Sequence, residues 1–217
     1  MLRWLYSLLM ALLVPAVWLR LRWRARREPL YGTALAERFG WYPGGQGTPA
    51  RPVWIHAVSL GETHAAATLV DALRRIDPGL RLLLTHGTAT GRAAGKALLK
   101  PGDRQLWLPW DSAGATRRFF ARQRPRLGVL METEVWPNLL HAARDAGVPM
   151  VLANARLSER SLRRGERGGE HDGRRVEHGA VVHVVLLGEA RGRRVRECRH
   201  VRARSTTVDQ AFRRAVC

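Results

Sequence analysis

From Pro52 onward the chain alternates short apolar runs with longer amphipathic stretches. Residues 53–58 (VWIHAV), 82–85 (LLLT), 105–108 (QLWL), 127–131 (LGVLM) and 148–153 (VPMVLA) read as buried strands. Between them, residues 63–75, 91–99, 113–122 and 136–146 read as helices; in the first, Ala66, Leu69, Val70 and Leu73 recur at helical spacing. Asp77-Pro78-Gly79 is a turn, and Gly147 closes the last helix. Strands alternating with helices of roughly 10–15 residues predict an α/β domain with a parallel sheet covered on both faces. Ligands of such sheets bind at the carboxyl ends of the strands. That rule directs attention to residues 59–63, 85–91, 109–112, 132–138 and 154–156.

The N-terminus has a different pattern. Residues 4–19 (WLYSLLMALLVPAVWL) carry no charge, a run just short of the roughly 17–25 residues that span a bilayer. Arg20, Arg22, Arg24, Arg26 and Arg27 follow at once, and Trp4, Trp18 and Trp23 flank the run. Positive charge stays cytoplasmic and amphipathic rings favour the headgroup zone. The pattern predicts a membrane-anchor or interfacial helix over residues 1–28, kinked at Pro15. A cleaved signal peptide would carry its charge before the apolar run and a small-residue cleavage site after it; here the charge lies mainly after the run and no A-x-A site appears. The arginines read first as a solvated positive-inside flank, and second as a patch for anionic lipid and substrate phosphates.

Composition changes this picture in two places. A hydrophobic share of 46% supports a full core for a 217-residue chain. The formal charge of +19 would ordinarily suggest nucleic acid. The excess is almost entirely arginine, with Lys96 and Lys100 the only lysines, which points to GC-rich coding as a partial cause. No helix-turn-helix, zinc-finger or aromatic RNA-binding signature accompanies it, so a nucleic-acid partner is not expected. Cys198 and Cys217 have neither metal-ligand spacing nor the makings of a disulfide framework.

The strand-end segments hold carboxylates, hydroxyls, an amide and a guanidinium, a set suited to a hydroxyl-rich substrate such as a sugar. They read HAVSLGET at residues 56–63, THGTATG at 85–91, METEVWPN at 131–138 and ANARLSERS at 153–161. In this order, behind an apolar N-terminus, they resemble the 3-deoxy-D-manno-octulosonic acid (Kdo) transferases of lipopolysaccharide biosynthesis, over roughly residues 1–161. The resemblance implies a Rossmann-like acceptor domain at residues 29–161, the N-terminal half of a two-domain GT-B glycosyltransferase. It implies transfer of Kdo from CMP-Kdo to a glucosamine hydroxyl of the lipid A precursor (lipid IVA), on the cytoplasmic face of the inner membrane. No metal and no cofactor is expected.

Inverting glycosyl transfer needs a base to take the proton of the attacking hydroxyl, an effect worth roughly 10²–10⁴ in rate. Glu62 follows a strand and Gly61 at a helix start, where the helix dipole favours a charged carboxylate. The family resemblance assigns it the base role. The structural alternative is a capping box, Ser59-x-x-Glu62. Glu134 is the second carboxylate, for binding acceptor hydroxyls or satisfying its helix dipole; Glu132 is a weaker candidate. Ser59, Thr88 and Thr90 are candidate acceptor contacts, or turn residues. Gly61, Gly87 and Gly91 allow close backbone approach. Asn154 and Arg156 reach substrate phosphate or brace the site. His56 and His86 are expected to be structural, and Trp136 and Pro137 to pack a helix start.

After Ser161 the motif pattern stops. Residues 162–217 hold 14 arginines and seven acidic residues, and only residues 180–187 read as a strand. This segment is expected to be an aberrant or disordered basic tail, most simply a frameshifted translation, with the donor domain missing. On that expectation the chain by itself transfers no Kdo, and the alternative function is a non-catalytic membrane-bound fragment that binds the lipid A precursor.

Overall fold

The computed structural model describes residues 2–42, 51–131 and 136–153, with two further strands at residues 184–187 and 198–199. Five parallel strands form its centre: β1 (Val53–His56), β2 (Leu82–His86), β3 (Arg104–Trp107), β4 (Leu127–Met131) and β5 (Met150–Ala153). Their order is β3-β2-β1-β4-β5, and two antiparallel strands, β6 (Val184–Leu187) and β7 (Cys198–Arg199), continue it beyond β5. The expected α/β class with a Rossmann-like parallel sheet is what the chain adopts. The strand expected at residues 180–187 is present in its second half.

The apolar runs lack polar alternation because both faces of the sheet are covered. On one face Val53, Ile55, Leu82, Leu84, Val129 and Met131 pack with Ala66, Val70 and Leu73 of α3 (Leu60–Ile76). On the other, Trp54, Leu83, Leu130 and Met150 meet α5 (Ala113–Gln123) and α6 (Pro137–Asp145). Trp54, Phe119 and Phe120 pack edge to face there, with centroids 4.9–5.6 Å apart. The short α4 (Ala89–Gly95) lies against α3.

The N-terminal apolar run is not one helix. It forms α1 (Leu2–Leu12) and α2 (Val14–Ala25), bent by 44° between them. The expected kink at Pro15 falls earlier, at Leu13, because proline has no N–H and is tolerated in the first turn, so α2 restarts around it. No single helix among the described residues is long and apolar enough to cross a membrane; the bent pair passes that test only together. At 11 and 12 residues they extend roughly 16 and 18 Å.

The same segment packs on the domain. Two 3-10 turns, Pro29–Gly32 and Leu35–Phe39, cover the edge at β3. Tyr31 stacks on Trp107 at 5.8 Å, and Arg24 lies over Tyr31. Buried Glu37 accepts from the Trp107 backbone N–H (2.8 Å) and pairs with Arg92 (3.0 Å).

Candidate functional site

The strand order reverses between β1 and β4, so the crevice favoured for ligands opens at their carboxyl ends. The chain leaves β1 into residues 57–59 and α3, and leaves β4 at Met131. On the β1 side the strand is shorter than expected. Val58 belongs to the loop: its N–H donates to the Glu62 carboxylate (2.8 Å) in place of a ladder bond. Ser59 is the N-cap of α3, accepting from the Glu62 N–H (3.4 Å) while its hydroxyl donates to Glu62 Oε1 (2.9 Å). The predicted Ser-x-x-Glu box is present in a shifted form, with Glu62 reaching back to the Val58 N–H rather than to that of Ser59, and α3 begins three residues earlier than the apolar spacing suggested.

Glu62 is 7% exposed. Each carboxylate oxygen receives one hydrogen bond, which leaves acceptor capacity on both. Its orientation is thus fixed by its own loop. Gly61 is exposed beside it, and a Cβ there would meet nothing within 4 Å. Packing does not demand this glycine, which leaves open backbone next to the carboxylate.

The β2 loop is sewn onto the same place. The Val58 carbonyl accepts from the N–H groups of Gly87 (3.1 Å) and Thr88 (2.9 Å) and from the Thr88 hydroxyl (2.9 Å). Thr88 caps α4, and its hydroxyl lies 3.3 Å from that of exposed Thr90. A Cβ on Gly91 would sit 3.0 Å from the Ser59 backbone, and one on Gly87 would strike Val58. These two glycines let the loops pack on each other. Ser59, Gly61, Glu62, Thr88 and Thr90 are therefore one cluster, with Ser59 and Thr88 working as caps. Glu134, Asn154 and Arg156, and Glu132 with them, lie outside the described residues.

His56 and His86 flank the cluster from below as structural groups. The His56 Nδ1–H donates to the Thr85 carbonyl (3.0 Å), leaving a buried bare Nε2. Protonation would strand an N–H there, and burial pushes its pKa down to about 3. His86 donates from Nδ1 to the Ala57 carbonyl and accepts from Gln105 at Nε2 (3.0 Å). Burial, then the nearby Arg92 and Arg38, lower it to about 4.

Sequence reasoning missed two groups. Arg38 lies over the Trp107 ring and donates to the Gly87 carbonyl (2.8 Å) under the β2 loop. Burial lowers its pKa to about 10. No motif marks it. Buried Asp111 accepts from the N–H groups of Asn138 (3.1 Å) and Leu139 (2.8 Å) at the start of α6. It lies in a strand-end segment, the signal that could have found it.

The family model for 3-deoxy-D-manno-octulosonic-acid transferase (kdotransferase) matches residues 33–200. The chain belongs to this Kdo transferase family. It is similar to the 3-deoxy-D-manno-octulosonic acid transferase of Bordetella pertussis, 52% identical over 171 residues, covering 74% of this chain and 39% of that protein. The Haemophilus influenzae transferase is 37% identical, over 75% of this chain and 38% of its own length. A probable mitochondrial transferase of Arabidopsis thaliana is 35% identical, over 69% and 33%. The chain thus spans less than two-fifths of the length of these relatives. The matched residues run past Ser161, beyond the point where the motif resemblance stops. In this family of glycosyltransferases the Ser59–Glu62 loop and the switch-point crevice fall inside the matched span.

Proposed function

We propose that this chain is the acceptor-side, Rossmann-like domain of a GT-B Kdo transferase acting in lipopolysaccharide biosynthesis. The acceptor is the lipid A precursor, lipid IVA, and the donor is CMP-Kdo. Glu62 takes the proton from a glucosamine hydroxyl as that oxygen attacks the anomeric carbon of Kdo, and CMP leaves from the opposite face. The observation that carries this is the carboxylate of Glu62, oriented by Val58 and Ser59 beside the open backbone of Gly61 at the switch-point crevice. Thr90 supplies an exposed hydroxyl within the same cluster. Glu134, Asn154 and Arg156 complete the acceptor contacts in this reading.

The site works at the cytoplasmic face of the inner membrane. Trp4, Leu5, Leu8, Leu9 and Leu12 of α1 are exposed, and Trp18, Leu19 and Trp23 extend the apolar surface along α2. Arg22 and Arg27 stack on Trp18 and Trp23, so cations sit beside the rings, an arrangement suited to an anionic headgroup layer.

Radiolabelled Kdo transfer and binding of lipid IVA in mixed micelles test the proposal on the 217-residue chain and its Glu62→Gln variant. Acceptor binding by the wild type is expected; its absence removes the acceptor-site reading. Any turnover should fall about 10²–10⁴-fold in Glu62→Gln. Turnover that survives the substitution overturns the base assignment. Binding without turnover identifies the chain by itself as an acceptor-binding fragment.

A further inference from the structure

Three hydrogen bonds seat α1 on the domain. The Tyr6 hydroxyl donates to Asp111 Oδ2 at 2.7 Å, the Ser7 hydroxyl to Asn138 Oδ1 at 2.8 Å, and the Trp110 indole to the Met10 carbonyl at 2.9 Å. They fix the helix against the β3–α5 loop and the start of α6, but it does not close on α5 and α6. An open cavity of about 440 Å³ remains between the three helices. Trp4, Ser7 and Leu8, at i, i+3 and i+4, turn one face of α1 to it, and Ala113 and Ala142 line it from α5 and α6. Its volume falls within the roughly 300–1,000 Å³ of small-ligand sites.

The uncompensated charge on the cavity wall is positive. Arg117 and His141 both stand on it. Arg117 donates from Nε to the Ala113 carbonyl (3.0 Å) and makes no ion pair among the described residues. His141 donates from Nδ1 to the Pro137 carbonyl (3.1 Å), so its protonated ring presents Nε2–H as a further donor. Neither α1 nor α5 contains an acidic residue. Asp145, the carboxylate on the described lining, is paired with Arg144 at 2.9 Å. Next to Leu8 on the helix surface are Leu5 (i−3) and Leu12 (i+4), both exposed. An apolar chain leaving the cavity past Leu8 therefore stays on apolar surface. The cavity lies on the sheet face covered by α5 and α6, whereas Glu62 stands in α3 on the opposite face.

We propose that this cavity binds one anionic phospholipid of the membrane, with its phosphate on Arg117 and His141 and one acyl chain along Trp4 and Leu8. This rests on the proposed placement of α1 at the membrane and adds to it a discrete ligand, set apart from the acceptor crevice. Guanidinium and phosphate match in charge and in bidentate geometry. The chain fills the gap that the hydrogen bonds of α1 leave, so the lipid bridges α1 to α5 and α6.

Dihexanoyl phosphatidylglycerol below its micelle concentration tests the site on the full chain. The His141 ring and the Ala142 methyl report the cavity by chemical shift, and Thr88 reports the Glu62 loop. Binding should move His141 and Ala142 at concentrations about tenfold below those needed for dihexanoyl phosphatidylcholine, whose choline places a cation beside Arg117; tenfold is the factor of roughly one charge-assisted hydrogen bond. Arg117→Gln should erase that preference, and Leu8→Ser should weaken both lipids. Both side chains are exposed, and urea unfolding checks that each variant folds. Equal binding of phosphatidylcholine, or an unchanged preference in Arg117→Gln, overturns the proposal. So does inorganic phosphate that binds as tightly, since the cavity is then an anion site without a lipid. Lipid IVA that displaces the phospholipid from His141 and Ala142 assigns the cavity to the acceptor and also overturns it. No shift at His141 and Ala142, with lipid IVA still moving Thr88, sinks this proposal alone and leaves the proposed function standing. Failure of the wild type to co-sediment with phosphatidylglycerol vesicles removes the membrane reading and the lipid site together.

Discussion

At the residue scale, the two readings of Glu62 are one geometry. The cap bonds from Val58 and Ser59 orient the carboxylate that the family resemblance assigns as base. A base held by its own helix start does not have to be ordered by substrate, the condition under which positioned groups are most effective. The roles separate by substitution. Ser59→Ala removes the cap and should lower stability by about 1 kcal/mol. Glu62→Gln keeps one carbonyl acceptor, so urea unfolding should show a smaller loss than Ser59→Ala, while the base role proposed for Glu62 would be abolished. The S-x-x-E pattern was legible because capping is local chemistry. Arg38 was not, because its meaning depends on Trp107 and Gly87, distant in sequence.

The buried histidines give a pH dependence of the same local origin. Free histidine titrates near 6.5, whereas His56 and His86 titrate at about 3 and about 4 in the fold. Below 6.5 the unfolded chain takes up protons that the folded chain refuses. Their stabilisation is fully present above about 6.5 and is lost as pH falls toward 4 and then 3. The unfolding free energy from urea titration should therefore drop between pH 6.5 and 5, above the range where free carboxylates titrate, by up to about 1.4 kcal/mol per pH unit for each histidine. His86→Gln should flatten the slope; an unchanged slope refutes its share.

At the element scale, the strands were readable because burial on both faces writes them as apolar runs, and residues 127–131 form β4 with the expected bounds. At two of the misjudged ends side chains intervene. Val58 was counted into its strand but bonds Glu62, and Thr88 starts α4 two residues before the expected position. Glycines discriminate packing from access in these loops. Gly91→Ala places a Cβ against the Ser59 backbone, which cannot yield as a side chain would, and should cost about 1–3 kcal/mol. Gly61→Ala meets empty space in the first turn of α3 and should stabilise by about 0.5–1 kcal/mol. If acceptor passes over Gly61, the same variant binds lipid IVA several-fold more weakly. Unfolding and binding measured together decide it: a stabilised variant with undiminished binding removes Gly61 from the acceptor surface.

At the scale of the whole molecule, residues 1–28 read from sequence as a membrane anchor appended to a domain, and the fold bonds α1 to that domain. Tyr6, Ser7 and Met10 bond to partners 100–131 residues away, and no local pattern can encode such contacts. The same holds for the edge at β3. A parallel sheet ending in a bare strand exposes donors that recruit other chains. Here the Trp107 N–H is taken by Glu37, which also neutralises Arg92, and the 3-10 turns lie over the strand. Glu37 is thus a pin between the N-terminal segment and the sheet, with both members of its ion pair largely out of water. Glu37→Ala leaves the Arg92 guanidinium without its carboxylate and the Trp107 N–H without its acceptor. Removing one partner of a buried pair costs about 3–5 kcal/mol, a large share of the 5–15 kcal/mol typical of a domain. Urea unfolding should register that loss. Exchange at Trp107 should accelerate more than at β1 if the pin acts locally, whereas uniform acceleration would show that the N-terminal segment and the sheet unfold as one unit.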